Sequence, residues 1–209
     1  MPIPVISEIW TRLNHPYTTD NTLASQTFAD IQTAYRGPER HYHNLQHITQ
    51  LLTLQNAYAG RLTAPDIVQY AIFFHDIVYD VQQRDNEQQS AVAAVEYLRQ
   101  TTFPTEKTDA VAAFIIATQT HVNTGSNPDL DYFLDFDLQI LGTSPEAYQA
   151  YTQQIRQEYS VYPDLVYNPG RKKVLQHFLE MPAIYRTRDF QQQYETQARQ
   201  NIQTELNNL

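Results

Sequence analysis

The stretch Ala71-Ile72-Phe73-Phe74-His75-Asp76-Ile77-Val78-Tyr79 constrains this chain more than any other segment. It is apolar on nearly every side of a helix, yet an imidazole and a carboxylate stand next to each other within it. A helix that is hydrophobic all round belongs at the centre of a fold. A carboxylate buried there costs several kcal/mol unless it is paired or bound to a metal. Adjacent helical residues point about 100° apart, so His75 and Asp76 converge on one ion only near a helix end or with adjusted rotamers. A break after Asp80 is expected to supply that freedom.

A second segment, His41-Tyr42-His43-Asn44-Leu45-Gln46-His47, opens a helix on which His47, Leu51, Leu54 and Tyr58 share one face. His47 therefore points inward. His43 lies one turn earlier on the same side, so the two imidazoles can serve one site, one as ligand and the other for proton transfer. A third segment, Asp131-Tyr132-Phe133-Leu134-Asp135-Phe136-Asp137-Leu138, offers a choice of aspartates. Helical phase puts Asp137 with Phe133, Leu134, Leu138 and Leu141 on the apolar face, and Asp135 with Asp131 and Gln139 on the polar face. One inward His or Asp is ordinarily a satisfied core residue. Four of them on three helices, His47, His75, Asp76 and Asp137, point instead to a divalent cation that satisfies both buried acids together.

Apolar residues recur at three and four along the whole chain, which predicts an all-α protein. Helices are expected near 3–14, 20–35, 42–59, 65–80, 86–101, 106–121, 129–141, 145–160, 169–180 and 188–207. Pro65 and Pro145 sit at first helical turns, Asn86 and Thr187 are candidate N-caps, and Gly37-Pro38, Gly60, Gly142 and Pro182 mark exits. No linker or repeat divides the chain, so one domain over 1–209 is expected. Its metal core would span about 40–141, with C-terminal helices over 145–207 packed on it. The last helix carries a thin stripe, Phe190, Tyr194, Ala198 and Ile202, suited to lying across the bundle or at a subunit contact.

The absence of cysteine restricts any metal to His, Asp and Glu ligands. A net charge of −9 with only 14 Lys+Arg argues against a nucleic-acid footprint, and Arg171-Lys172-Lys173 reads as a solvated face. A small phosphorylated substrate stays compatible, since a bound cation supplies the positive charge. Without a basic leader or a membrane-length apolar run, a soluble, cytoplasmic protein is expected.

In order, His47, His75-Asp76 and Asp137 resemble the HD superfamily of metal-dependent phosphohydrolases. A bacterial group within it is more similar still, through Arg40-x-Tyr42-His43-Asn44-Leu45-x-His47-Ile48, Phe74-His75-Asp76-Ile77-Val78-Tyr79-Asp80, Asn86-Glu87-x-x-Ser90-Ala91 and Leu134-Asp135-x-Asp137-Leu138. The likeness continues through Ile155-Arg156-x-Glu158-Tyr159 and Gly170-Arg171. It implies a single-domain helical bundle of the HD type, with His47, His75, Asp76 and Asp137 as ligands. Tyr42-His43-Asn44-x-x-His47 is also similar to the first metal motif of cyclic-nucleotide phosphodiesterases, which makes His43 the general-acid candidate. His75-Asp76-x-x-Tyr79-Asp80 is similar to the His-Asp-x-x-Glu-Asp motif of guanosine-tetraphosphate hydrolases, with Tyr79 in place of the first acid. Asp80 and Glu87 are then the candidates for orienting water.

The expected activity is hydrolysis of a small phosphate ester, a nucleotide before other esters. The cation would be Mn, Mg, Co, Ni, Fe or Zn. His121, placed on a face with Phe114 and Ala117, is a candidate second-metal or phosphate contact, as well as a packed His near a helix C-terminus. Arg40, Arg156 and Arg171 are candidate phosphate clamps. His15, His41 and His177 read as structural. Two other readings use the same ligands: a di-iron oxygenase, and a non-catalytic protein that binds metal or nucleotide for regulation.

Overall fold

The structure, a computed structural model, describes residues 5–209. Among these the protein is all-α, ten α-helices and two short 3-10 turns, with no strand. No helix among the described residues is long and apolar enough to cross a membrane. The chain forms two compact units, Met1–Phe133 and Leu134–Leu209. The division falls inside one continuous helix.

The first unit holds α1 (Ile6–Asn14), α2 (Asn21–Ala34), α3 (Leu45–Ala57), α4 (Pro65–Phe74), α5 (Asn86–Leu98), α6 (Thr105–Ala117) and the start of α7 (Pro128–Leu138). Residues 3 and 4 of the expected first helix lie outside the described residues. α4 packs against α3, α5 and α6, and from Ile67 to Phe74 every residue but Gln69 is buried, as its all-round apolar pattern requires. Trp10 of α1 wedges into this core, its ring 5.0 Å from Phe73 and 5.3 Å from Tyr97. Asn14, 2% exposed, accepts hydrogen bonds from the hydroxyls of Tyr70 and Tyr97 and donates to the Trp10 carbonyl. Ala64 has no side-chain oxygen with which to cap α4. The buried Asp129 of α7 instead holds the backbone that leads into the helix, accepting from the Thr63 amide at 2.9 Å and the Ala64 amide at 2.6 Å.

α4 ends at Phe74, six residues before the break expected after Asp80. The cause lies about 40 residues earlier in sequence. Arg40 Nη1 donates to the Asp76 carbonyl at 2.6 Å, and Nη2 to the Ile77 carbonyl at 3.1 Å. The Asp76 amide donates to the Tyr35 hydroxyl at 3.1 Å. Ser90 of α5 receives the Val78 amide and returns a bond to the Val78 carbonyl. Asn86 clamps both backbone groups of Asp80, so it serves this loop and not the N-cap of its own helix. The backbone groups that a longer helix would have paired internally find these tertiary partners instead.

In the second unit, α8 (Pro145–Glu158), α9 (Asp164–Glu180) and α10 (Arg188–Asn208) surround the 3-10 turn Gln139–Gly142. Phe190, Ala198 and Ile202 are fully buried, so the stripe of α10 is core here and not an outer strap. A Cβ on Gly142 would stand 2.6 Å from Tyr194 Cβ and 2.8 Å from the Tyr194 carbonyl, which accounts for the glycine. α9 begins five residues earlier than expected, with Pro169 inside it. The carbonyl that this proline leaves without a helical donor belongs to Leu165, which is 90% exposed and open to water. Asp135 departs most from expectation. It is fully buried, accepting from the Arg186 amide at 2.6 Å, the Thr187 amide at 2.7 Å and the Thr187 hydroxyl at 2.6 Å. Its helical phase is polar, but the polar group it meets is the backbone that starts α10.

Asp66, in the first turn of α4, accepts from Tyr17 Oη and Lys107 Nζ, each at 2.6 Å. Burial raises its pKa, but the Lys107 and Tyr17 hydrogen bonds, the Lys107 charge and the Ile67 amide outweigh that and hold it below the usual 3.8. Burial and the same carboxylate push the Tyr17 hydroxyl up to about 12. A depressed carboxylate stabilises the fold above its unfolded pKa, and that contribution is lost as pH falls through the folded value. Asp66→Asn should therefore be less stable than wild type to denaturant at pH 6, and the gap should shrink once the pH drops below the ordinary aspartate range. A gap that stayed constant with pH would sink this account.

Candidate metal centre

His47 lies in the first turn of α3, whose N-cap is Asn44, accepting from the Gln46 amide at 2.8 Å. This cap starts α3 at Leu45, three residues later than expected, and leaves His43 in the bend before it. His47 is 2% exposed and His75, at the C-cap of α4, is 1% exposed. Their Nε2 atoms are 3.1 Å apart. Asp76 Oδ2 lies 3.1 Å from His75 Nε2 and 3.9 Å from His47 Nε2. Neighbours on an intact helix would diverge; the end of α4 at Phe74 lets these two meet.

α7 begins in the first unit, where Phe133 sets its ring edge-on to His75 with centroids 5.9 Å apart. Asp137 follows one turn later on the same face of that helix. Among the described residues, His47, His75 and Asp137 form a group that could hold a metal ion, with one ligand atom from each within 4.8 Å of the others. Asp76 shares the same two imidazoles. The four side chains singled out by sequence thus fall into two overlapping triads.

The donor chemistry fits a divalent cation. His75 Nδ1 lies 2.9 Å from the Ile72 carbonyl, which can only accept, so Nδ1 carries a proton and the neutral form of the ring offers its Nε2 lone pair to a cation. That lone pair faces a second imidazole nitrogen and a carboxylate oxygen. All three atoms are ones a divalent cation accepts as ligands. Donor atoms about 2.1 Å from an ion stand about 3.0 Å apart at a right angle and about 4.2 Å apart when opposite, by the usual bond lengths. The observed 3.1 and 3.9 Å fall within that span.

His43 is half-buried, its ring 5.8 Å from that of His47 and 4.4 Å from that of Tyr79. Tyr79, which stands where the tetraphosphate-hydrolase motif has an acid, thus packs the candidate proton donor. Asp80 is exposed and its Oδ1 accepts from the Gln82 amide at 2.8 Å, an Asx turn at the loop's edge. Glu87 sits in the first turn of α5. The expected helical face of His121 does not exist. α6 ends at Ala117, and His121 takes a left-handed φ of 52° where its amide closes the helix onto the Ala117 carbonyl at 2.8 Å.

The three arginines are engaged with the protein. Arg40 holds the turn after α4. Arg156 binds Asp164 at 2.7 Å and the carbonyls of Tyr159 and Tyr162 at the end of α8. Arg171 is not on a solvated face: its Nε and Nη2 meet Glu205 at 2.7 and 3.0 Å, with both side chains about nine-tenths buried. Sequence reasoning missed Tyr35, which accepts the Asp76 amide, and Ser90, which holds Val78; only the Asn86/Ser90 spacing, one helical turn apart, signalled the second. No family model, curated protein or solved structure matches the chain.

Proposed function

We propose that the protein is a metal-dependent phosphohydrolase of the HD type that cleaves a small phosphate ester, a nucleotide in the first instance. The observation that carries this reading is the convergence of two buried imidazoles and the Asp76 carboxylate within 3.9 Å, beside a further imidazole, His43, outside the ligand set. His47, His75, Asp76 and Asp137 hold the ion. Its bound state supplies a Lewis acid that lowers the pKa of water and draws charge from a phosphoryl oxygen. The chain's own residues do the rest. Ile72 fixes the His75 tautomer, Phe133 packs its ring, and His43, braced by Tyr79, gives a proton to the departing oxygen. A site serving the fold alone has no use for such a proton donor.

The test is a screen of the purified protein with Mn, Mg, Co and Ni against nucleotides, cyclic nucleotides and generic phosphate esters. Metal-stimulated phosphate release from at least one class is expected. Metal-loaded protein that turns over nothing across the panel would overturn the enzymatic reading.

A further inference from the structure

We infer that Arg40 is a positioning residue of the metal centre: its guanidinium fixes the turn in which His75 and Asp76 meet and ties that turn to the segment carrying His43. The inference rests on the metal-centre reading above. Arg40 is 8% exposed, so it is not a surface cation waiting for a ligand. One nitrogen, Nη1, donates both to the Asp76 carbonyl at 2.6 Å and to the His43 carbonyl at 3.2 Å, while Nη2 takes the Ile77 carbonyl at 3.1 Å. The guanidinium lies against two rings, 5.2 Å from the centroid of Tyr35 and 5.0 Å from that of Tyr79. Tyr35 also accepts the Asp76 amide, and Tyr79 also packs His43. One cation thus joins the two segments that supply His43 and His47 on one side and His75 and Asp76 on the other.

The physical role follows from what the carbonyls of Asp76 and Ile77 would otherwise do. Left to the helix, they would accept from amides further on, α4 would run past Phe74, and neighbouring side chains would point about 100° apart. The 3.1 Å approach of Asp76 Oδ2 to His75 Nε2 would be lost. A cation at a helix C-terminus is favourable in itself. Arginine is required over lysine because a planar fork reaches separate carbonyls at once and stacks between aromatic faces, whereas an ammonium is a point charge on a flexible stem.

The experiment compares Mn2+ affinity by titration calorimetry for wild type, Arg40→Lys and Arg156→Lys, with folding checked by circular dichroism. Outer-shell partners of metal ligands typically contribute about 10–100-fold in affinity. Arg40→Lys should lose about that much, while Arg156→Lys, which also removes a guanidinium from carbonyls that follow a helix, should bind as wild type does. Should Arg40→Lys fail to fold, Tyr35→Phe, which loosens the same turn from the Asp76 amide, must show the loss instead. Unchanged affinity in the folded variant, with a raised KM for substrate, would make Arg40 a phosphate contact and overturn the proposal while leaving the metal centre standing. Wild-type protein that binds no divalent ion would fail the metal-centre reading itself, and this inference with it.

Discussion

Replacing His75 by alanine is expected to abolish divalent-metal binding and, with it, metal-stimulated phosphate release. Its Nε2 stands 3.1 Å from both His47 Nε2 and Asp76 Oδ2, and it belongs to both triads of the centre. Loss of a ligand should exceed the roughly 10–100-fold that outer-shell changes cost in affinity. Thermal unfolding separates this from a folding defect. An ion present at 100 times its Kd stabilises the folded state by about 2.7 kcal/mol, a gain that wild type should show and His75→Ala should not. The metal-free variant is expected to unfold cooperatively, since Ala is at home at a helix end lined by Phe133. If added metal raised the melting point of His75→Ala as far as that of wild type, the ion would be binding elsewhere.

The parts of this site that were legible in sequence are those set by local periodicity. An apolar helix interrupted by His75-Asp76, a His47 in phase with Leu51, and an Asp137 in phase with Phe133 can each be read within two helical turns. What periodicity could not supply was where α4 stops, because the groups that end it, Arg40 and Tyr35, act from about 40 residues away. The same limit explains Asp135. Its phase is polar, but its partners are backbone amides about 50 residues downstream, and no local rule distinguishes a solvated carboxylate from one that caps a distant chain reversal. Likewise the arginines carry the composition of phosphate ligands, and what commits them to carbonyls or to Glu205 is tertiary placement alone. His121 shows a different failure: continuing a helical pattern past Ala117 assigned it a face, whereas its backbone had already turned left-handed.

His43→Ala should give the opposite signature, with the metal retained and turnover lost. The His43 ring lies 5.8 Å from that of His47, and its own segment is held through its backbone carbonyl by Arg40, so truncating the side chain leaves the ligand triad and the turn intact. General-acid catalysis contributes about 10²–10⁴-fold when the departing oxygen needs a proton. That range sets the expected fall in kcat for an alkyl or nucleoside leaving group. An ester that releases a stabilised phenolate needs no such help, so the variant should hydrolyse it at close to the wild-type rate. Mn2+ affinity measured by calorimetry should stay at the wild-type value. The dependence on leaving group is the decisive readout, since a general structural lesion would slow both esters alike. Full turnover of the poor leaving group by His43→Ala at neutral pH would remove His43 from the chemistry and move the search for the proton donor to Asp80 and Glu87.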